Sequence, residues 1–393
     1  MSRLNVGNLF NENEDGAPVI SGISTFSSPN YFIPPSGSTA QRPQNPGEGM
    51  IRFNTDSGHL EYYAGTHWAD VIVNNNDLGG GLNGIGTTAS TQGTGTRAIV
   101  CGGAGAPSNK SASISYITVD TLGNSQDFGD LTQGDVNSPV GAASRTRGLS
   151  QGGSSVPARQ STIEFVTIAS TGSAADYGDL SVARGEAASV SNQTRAIVAG
   201  GSATPGDSDV IDYGTIASTG TYQDFGNLVD DREAVGGGIA SQVRGIIYGG
   251  ASPAQNTIEF VTISTTGDAQ DFGDLQDTAI RKQGCSNSTR GVIAGGGPTN
   301  ATIQFVTIAT TGDAQSFGDL TVSRRFSGCA ASSTRGVFMG GEVAPTPTVQ
   351  NTIDYVTILS TGNAVDFGDM DHDGQTNGVV ANGAAFSNGH GGL

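Results

Sequence analysis

The chain has 393 residues, of which 61 are glycine and only 14 % are charged, and its formal net charge is −18. It holds two lysines, Lys110 and Lys282, too few for the polar faces of many amphipathic helices, so a large helical protein is excluded. Its Lys and Arg do not cluster, which argues against nucleic acid as partner, and no run of 18 apolar residues exists to span a membrane.

In chain order, residues 1–46 come first. They carry Pro34, Pro35, Pro43 and Pro46, many Ser and Asn, and one apolar island from Val19 to Phe26. They read as an extended arm without a core of its own. The start, Met1-Ser2-Arg3-Leu4-Asn5, does not open a signal peptide. Residues 47–73 predict a β-meander: Ile51 to Asp56, a turn over Asn54 to Gly58, a second strand around Leu60 to Tyr63, and a third near the sole tryptophan, Trp68. So short a stretch buries little core and needs something to pack on. Residues 74–96 form a linker rich in Gly, Asn and Thr.

From residue 97 the chain repeats. An arginine opens an apolar run that ends in Gly-Gly at Arg97, Arg147, Arg195, Arg244, Arg290 and Arg335, with spacings of 50, 48, 49, 46 and 45 residues. Each copy then has a run such as Ile163 to Ile168, Ile258 to Ile263, Ile303 to Ile308 or Ile353 to Ile358, with divergent versions at Ile114 to Val119 and Ile211 to Ile216. Short runs rich in β-branched and aromatic residues are strands, and apolar residues on both faces suit sheets covered on both sides. A third element is Asp127-Phe-Gly-Asp-Leu131 and its counterparts ending at Leu180, Leu228, Leu275, Leu320 and Met370. A small-residue run precedes each next arginine, for example Gly185 to Val190 or Phe326 to Ala331. Four short strands per copy make one blade of a β-propeller, and six copies make six blades. A spare small-residue run, Gly378 to Phe386, is expected to close the ring beside the Arg97 strand, in preference to the weaker Ile85 to Ser90. The fold class expected is all-β: a six-bladed propeller over residues 97–393, after the arm, the meander and the linker.

These residues carry a resemblance. An arginine, a hydrophobic strand ending in Gly-Gly and an aromatic strand after it resemble kelch repeats. The phrase Val-Thr-Ile, Thr-Thr-Gly, Phe-Gly-Asp-Leu, Ser-Thr-Arg-Gly-Val is similar to the kelch-like repeats of structural proteins of tailed phages, marine cyanophages in particular, and the ending Ser387 to Leu393 is similar to termini in that group. The meander resembles a small element of tail-fibre and other virion appendage proteins. The resemblance implies a homo-oligomer, taken as a trimer, located in the virion after assembly in the host cytoplasm.

Candidate chemistry is sparse. Asp369, Asp371, Asp373 and Gly374 have the opening spacing of a calcium loop, with Gln375 offering a carbonyl and Asn377 a ninth-position ligand. Val380 stands where the bidentate Glu belongs, so the rival reading is an acidic turn. Asp369, Asp371, Asp373 and Gln375 are the candidate metal residues, and calcium is the one cofactor considered. Asn11 to Gly16 is a weaker echo. Gly79 to Gly84 matches a dinucleotide-binding string but lacks the helix and the acidic residue that the motif needs. The repeated Asp130, Asp179, Asp274, Asp319 and Asp369, with Asn227, read as structural, pairing with a neighbouring arginine or capping turns, with a cation-binding ring of carboxylates as the rival. His59, His67, His372 and His390 have no metal-ligand spacing, and no Gly-x-Ser-x-Gly elbow occurs. Cys101, Cys285 and Cys329 read as buried apolar residues of a protein made in a reducing cytosol.

The expected function is therefore non-enzymatic: a virion component, most simply a tail fibre or tail appendage protein. It would anchor to other virion proteins through residues 4–32 and 47–73. The propeller would be displayed for host-surface glycan recognition or particle stabilisation. Its loops Ala104 to Ser113, Ser154 to Ser161, Ser202 to Val210 and Glu342 to Asn351 vary most and fall on one face. The alternatives are a glycan-cleaving depolymerase on the same scaffold, a head or neck decoration protein, and a cellular kelch adaptor.

Overall fold

The computed structural model describes residues 34–56, 59–70, 96–103, 111–155, 158–278, 280–298, 300–343, 348–370 and 381–393. The chain divides into two compact units, Met1–Asn75 and Asn76–Leu393.

In the first unit, Ile51–Asn54, His59–Tyr63 and Trp68–Asp70 form the expected antiparallel meander. Ser36–Gly37 joins its edge in parallel, opposite Phe53 and Asn54, so the sheet recruits part of the stretch assigned to the arm. Alternation puts Arg52, Asn54 and Glu61 on one face, where all three are buried. Glu61 accepts hydrogen bonds from Arg42 and from Asn54 Nδ2 at 3.1 Å, and Arg52 Nε lies 3.5 Å from it. The Arg42 hydrogen bond holds the Glu61 carboxyl below its usual range, against the opposing pull of burial. Both guanidinium groups lie about 6 Å over the Trp68 ring. On the opposite face Ile51, Phe53 and Tyr62 are exposed, with Ile51 directly across from Tyr62.

The second unit contains, among its described residues, six four-stranded antiparallel sheets. In sheet order, the second is Val140–Ala143, Arg147–Gln151, Thr162–Thr167 and Ala175–Asp179. The third is Ala188–Ser191, Arg195–Ala199, Val210–Thr215 and Gln223–Asn227. The fourth is Gly236–Ala240, Arg244–Tyr248, Thr257–Thr262 and Gln270–Asp274. The fifth is Gln283–Ser286, Arg290–Ala294, Thr302–Thr307 and Gln315–Asp319. The sixth is Gly328–Ala331, Arg335–Met339, Thr352–Thr357 and Val365–Asp369.

The first sheet is spliced from distant parts of the chain. Ala384–Ser387 pairs with Arg97–Cys101, followed by Ser113–Thr118 and Gln126–Asp130. The turn that would join its first two strands is therefore made from two pieces. In the third sheet Asn192 Oδ1 accepts the Arg195 N–H at 2.9 Å, and in the first Asn388 Oδ1 accepts the Arg97 N–H at 2.8 Å.

The burial of each strand follows its place. Second strands are buried after the arginine, whereas fourth strands show only their central aromatic inward. The first strands touch one another in a cycle that runs through sheets two to six, on to Ala384–Ser387, and back to Val140–Ala143. Sheet packs on sheet through small residues next to the arginine. A Cβ on Gly148 would overlap the Phe386 ring at 1.9 Å, so the first sheet's aromatic lies directly on the second sheet's backbone. The three cysteines are buried and unbonded, and burial pushes the thiols of Cys101 and Cys329 up. Among the described residues no helix is long and apolar enough to cross a membrane.

Candidate functional site

The six repeated arginines do not pair with the five repeated aspartates or with Asn227. Each sends Nη1 to the backbone carbonyl just after the third strand of the next sheet: Arg97 to Ile168 at 2.9 Å, Arg147 to Ile216 at 3.0 Å, Arg195 to Ile263 at 2.8 Å, Arg244 to Ile308 at 2.9 Å, Arg290 to Ile358 at 3.3 Å and Arg335 to Val119 at 3.1 Å. Each guanidinium also lies 4.1 to 4.8 Å from the aromatic ring of its own third strand. The arginines thus bind each sheet to the next. The repeated Asp130, Asp179, Asn227, Asp274, Asp319 and Asp369 instead end exposed fourth strands. For four of them a neighbouring turn residue accepts the backbone N–H: Asp268 for Asn227, Asp313 for Asp274, Asn363 for Asp319 and Asn124 for Asp369.

Three other carboxylates, within the third strands, do pair with buried arginines. Arg184 meets Asp212 at 3.0 Å, Arg232 meets Glu259 at 2.8 Å and Arg324 meets Asp354 at 3.0 Å, with all six side chains buried. Burial lowers the pKa of these guanidinium groups, and the facing carboxylate opposes it. The carboxylates also cap the preceding loop, as when Ser181 N–H and Oγ–H both donate to Asp212. These pairs hold loops against the third strands. In the fifth sheet Gln304 replaces the acid and accepts the Gln276 N–H at 2.9 Å.

All six sheets line a cavity at the mouth where the first strands begin, with about 70 Å³ of room. Each sheet supplies one non-glycine residue in the left-handed region: Ser138 (φ 57°), Glu186 (55°), Ala234 (54°), Arg281 (60°), Phe326 (60°) and Asn382 (59°). Left-handed backbone is costly for such residues and persists only where its surroundings enforce it. Here the enforcement is a chain of backbone hydrogen bonds. Ser138 N–H donates to Asn382 O, Glu186 to Ser138, Val235 to Glu186, Phe326 to Arg281 and Asn382 to Phe326. Among the described residues no such bond joins Ala234 to Arg281. Beside that gap the fourth sheet bulges between Gly236 and Ile239, and Gly238 (φ +87°) sits where a Cβ would come within 2.5 Å of Gly284 O.

The side chains at the mouth are all different, and three of them interact. Arg281 Nη2 lies 3.3 Å from Glu186 Oε2, and its guanidinium lies 4.4 Å from the Phe326 ring, which Arg325 approaches at 5.3 Å. Arg325 in turn pairs with Glu342 at 2.6 Å. Backbone bridges at Gly185 to Ser202, Glu233 to Ala251, Ile280 to Gly297 and Arg325 to Glu342 tie the mouth to the loops after the Gly-Gly strands. The mouth and the variable loops therefore share a face. That face is acidic near the third and fourth sheets, where burial, Glu233 and Asp231 together raise the Asp207 pKa.

At the other end of the first strands the chain's last residues are seated. His390 Nε2–H donates to Ala143 O at 2.9 Å, Nδ1 accepts the Gly392 N–H at 3.2 Å, and Gly391 N–H donates to Ser286 O. Both ring nitrogens are thus used by the neutral imidazole, and burial lowers its pKa to about 4.

Of the candidate calcium residues, Asp369 ends the sixth sheet with its side chain exposed, while Asp371, Asp373 and Gln375 lie outside the described residues. Asn11 to Gly16 and Gly79 to Gly84 lie outside them as well. Among the described residues no group of three or more His, Cys, Asp or Glu is placed to hold a metal ion. The mouth residues were not singled out by motif, although a signal exists. Glu186, Ala234, Arg281 and Phe326 each stand six positions after the leucine that follows the fourth strand (Leu180, Leu228, Leu275, Leu320). No family model matches the chain, and no curated protein matches it.

Proposed function

We propose that this chain is a non-enzymatic recognition protein, a structural component of a tailed-phage virion. Its second unit would be a six-bladed kelch-like propeller that displays one face to a host surface. The propeller reading is supported by six four-stranded sheets whose first strands touch in a cycle, and by six arginines that each reach the next sheet. The observation that carries the recognition reading is the mouth: one rigid backbone position repeated six times, with a different side chain at each, on the face that bears the variable loops. Repetition serves assembly, whereas divergence at a repeated and strained position serves selection of a ligand.

The virion reading rests on the sequence resemblance. It is supported by a small first unit whose Ile51, Phe53 and Tyr62 face is uncovered within the unit. That face and residues 4–32 would attach the protein to another virion protein. Immunogold labelling of intact particles with an antibody against residues 97–393 tests this. Gold at the tail end or fibres is the expected result. Gold over the head or neck would turn the reading towards decoration, and no gold on intact or opened particles would overturn it.

A further inference from the structure

We infer that the six-sheet mouth binds an uncharged polyhydroxylated ligand, a neutral terminal sugar, between Glu186 and Arg281; this rests on the recognition reading above. The mouth is open at one point of its backbone chain, between Ala234 and Arg281. Gly237 and Gly238 of the Gly236–Ile239 bulge line the cavity beside that gap. Two charged side chains of opposite sign stand there, each only partly exposed: Glu186 at 19 % and Arg281 at 25 %. A single hydrogen bond of 3.3 Å joins them, and Arg281 Nε has no hydrogen-bond partner among the described residues. The pair thus keeps polar atoms that adjacent sugar hydroxyls could bridge. One hydroxyl would donate to the carboxylate and the other would accept from the guanidinium. Ser138 and Asn382 add neutral hydrogen-bonding groups across the mouth, and Ala234 and Phe326 complete its lining.

Charge decides the ligand class. Arg281 is balanced by Glu186, Arg325 is balanced by Glu342, and Asp207, Asp231 and Glu233 lie on the same face. A carboxylate or phosphate ligand would meet no unpaired cation at the mouth and would approach a chain of net charge −18. A neutral sugar meets neither obstacle.

Saturation-transfer NMR and calorimetry on the full chain test this, with methyl glycosides of glucose, galactose and mannose against the corresponding uronic acids. The variants are Glu186→Asn and Arg281→Asn, since asparagine tolerates the left-handed backbone and keeps the fold. At least one neutral glycoside should bind the unaltered chain better than its uronic acid. Its affinity should fall about tenfold or more in each variant. The inference is overturned if no neutral glycoside binds, if the variants bind it as well as the parent, or if the uronic acids bind more tightly. Labelled chain applied to cells susceptible to the particles separates the two readings. Variants that decorate those cells as the parent does remove the mouth assignment and leave recognition standing, whereas a parent that decorates none removes recognition itself.

Discussion

The ring of arginines and the mouth are both built from six equivalent positions, and they differ in what is repeated. At the arginines the residue, its aromatic neighbour and its carbonyl acceptor recur in every sheet. At the mouth only the backbone recurs, while the side chains run from Ala234 to Phe326 and from Glu186 to Arg281. A contact needed to hold one sheet to the next is needed six times and fixes its residues. A backbone position that is already held by its neighbours leaves its side chain free to differ.

That contrast can be broken by mutation, beginning where the loss should be greatest. Phe386→Ala should cost about 3–5 kcal/mol in urea denaturation, because the ring fills the space over Gly148 that nothing else can occupy. Arg324→Met should lose a similar amount, about 3–5 kcal/mol, by leaving Asp354 charged and buried. The double change Arg324→Met with Asp354→Leu should recover most of it, and a double variant as unstable as the single one would refute the pairing account. His390 should make stability fall with acid. Its folded pKa of about 4 lies below the ordinary 6.5, so the unfolded chain binds the extra proton between those values. Its stabilisation is whole above about pH 6.5 and is lost as pH drops towards 4, by roughly 2 kcal/mol given its partial exposure. His390→Gln should flatten that part of the pH profile. Arg195→Ala should cost about 1–2 kcal/mol through the lost carbonyl bond and ring contact, and Arg244→Ala should cost the same within error. Changes at the mouth should be smallest. Glu186→Asn and Arg281→Asn should shift stability by less than about 1 kcal/mol, as for other partly exposed ion pairs, and the melting temperature hardly at all. A large loss there would make the mouth structural and erase the contrast.

The sequence showed what repeats. The four strands of each copy and the pairing of the C-terminal strand with Arg97–Cys101 were legible because β-branched runs and Gly-Gly endings recur at nearly even spacing. The partner of each arginine was not legible, since a backbone carbonyl in the next sheet leaves no mark in the sequence, and the repeated aspartates offered a more visible but wrong acceptor. Asp212, Glu259 and Asp354 carried no repeat signal, since the equivalent positions are Ser115 in the first sheet and Gln304 in the fifth. Both faces of those strands are covered, so each had to meet a buried arginine from the preceding loop. The mouth was hidden for a different reason. Left-handed backbone at a non-glycine residue has no reliable one-letter signature, and only aligning the copies on their leucines exposes the column that varies.

The spliced first sheet has a consequence for how the protein is made. Arg97–Cys101 leaves the ribosome nearly three hundred residues before Ala384–Ser387, the strand that hydrogen-bonds along it. Through that interval its edge is bare, a template for the wrong neighbour. A message cut short anywhere before Phe386 yields sheets two to six without the strand that completes the first. Nascent chains crowded on one polysome would present the same unpaired edge to one another. Synthesis speed over the last repeat, and any holdase that covers the early strand, should therefore govern the yield of native protein more than the stability of any single sheet.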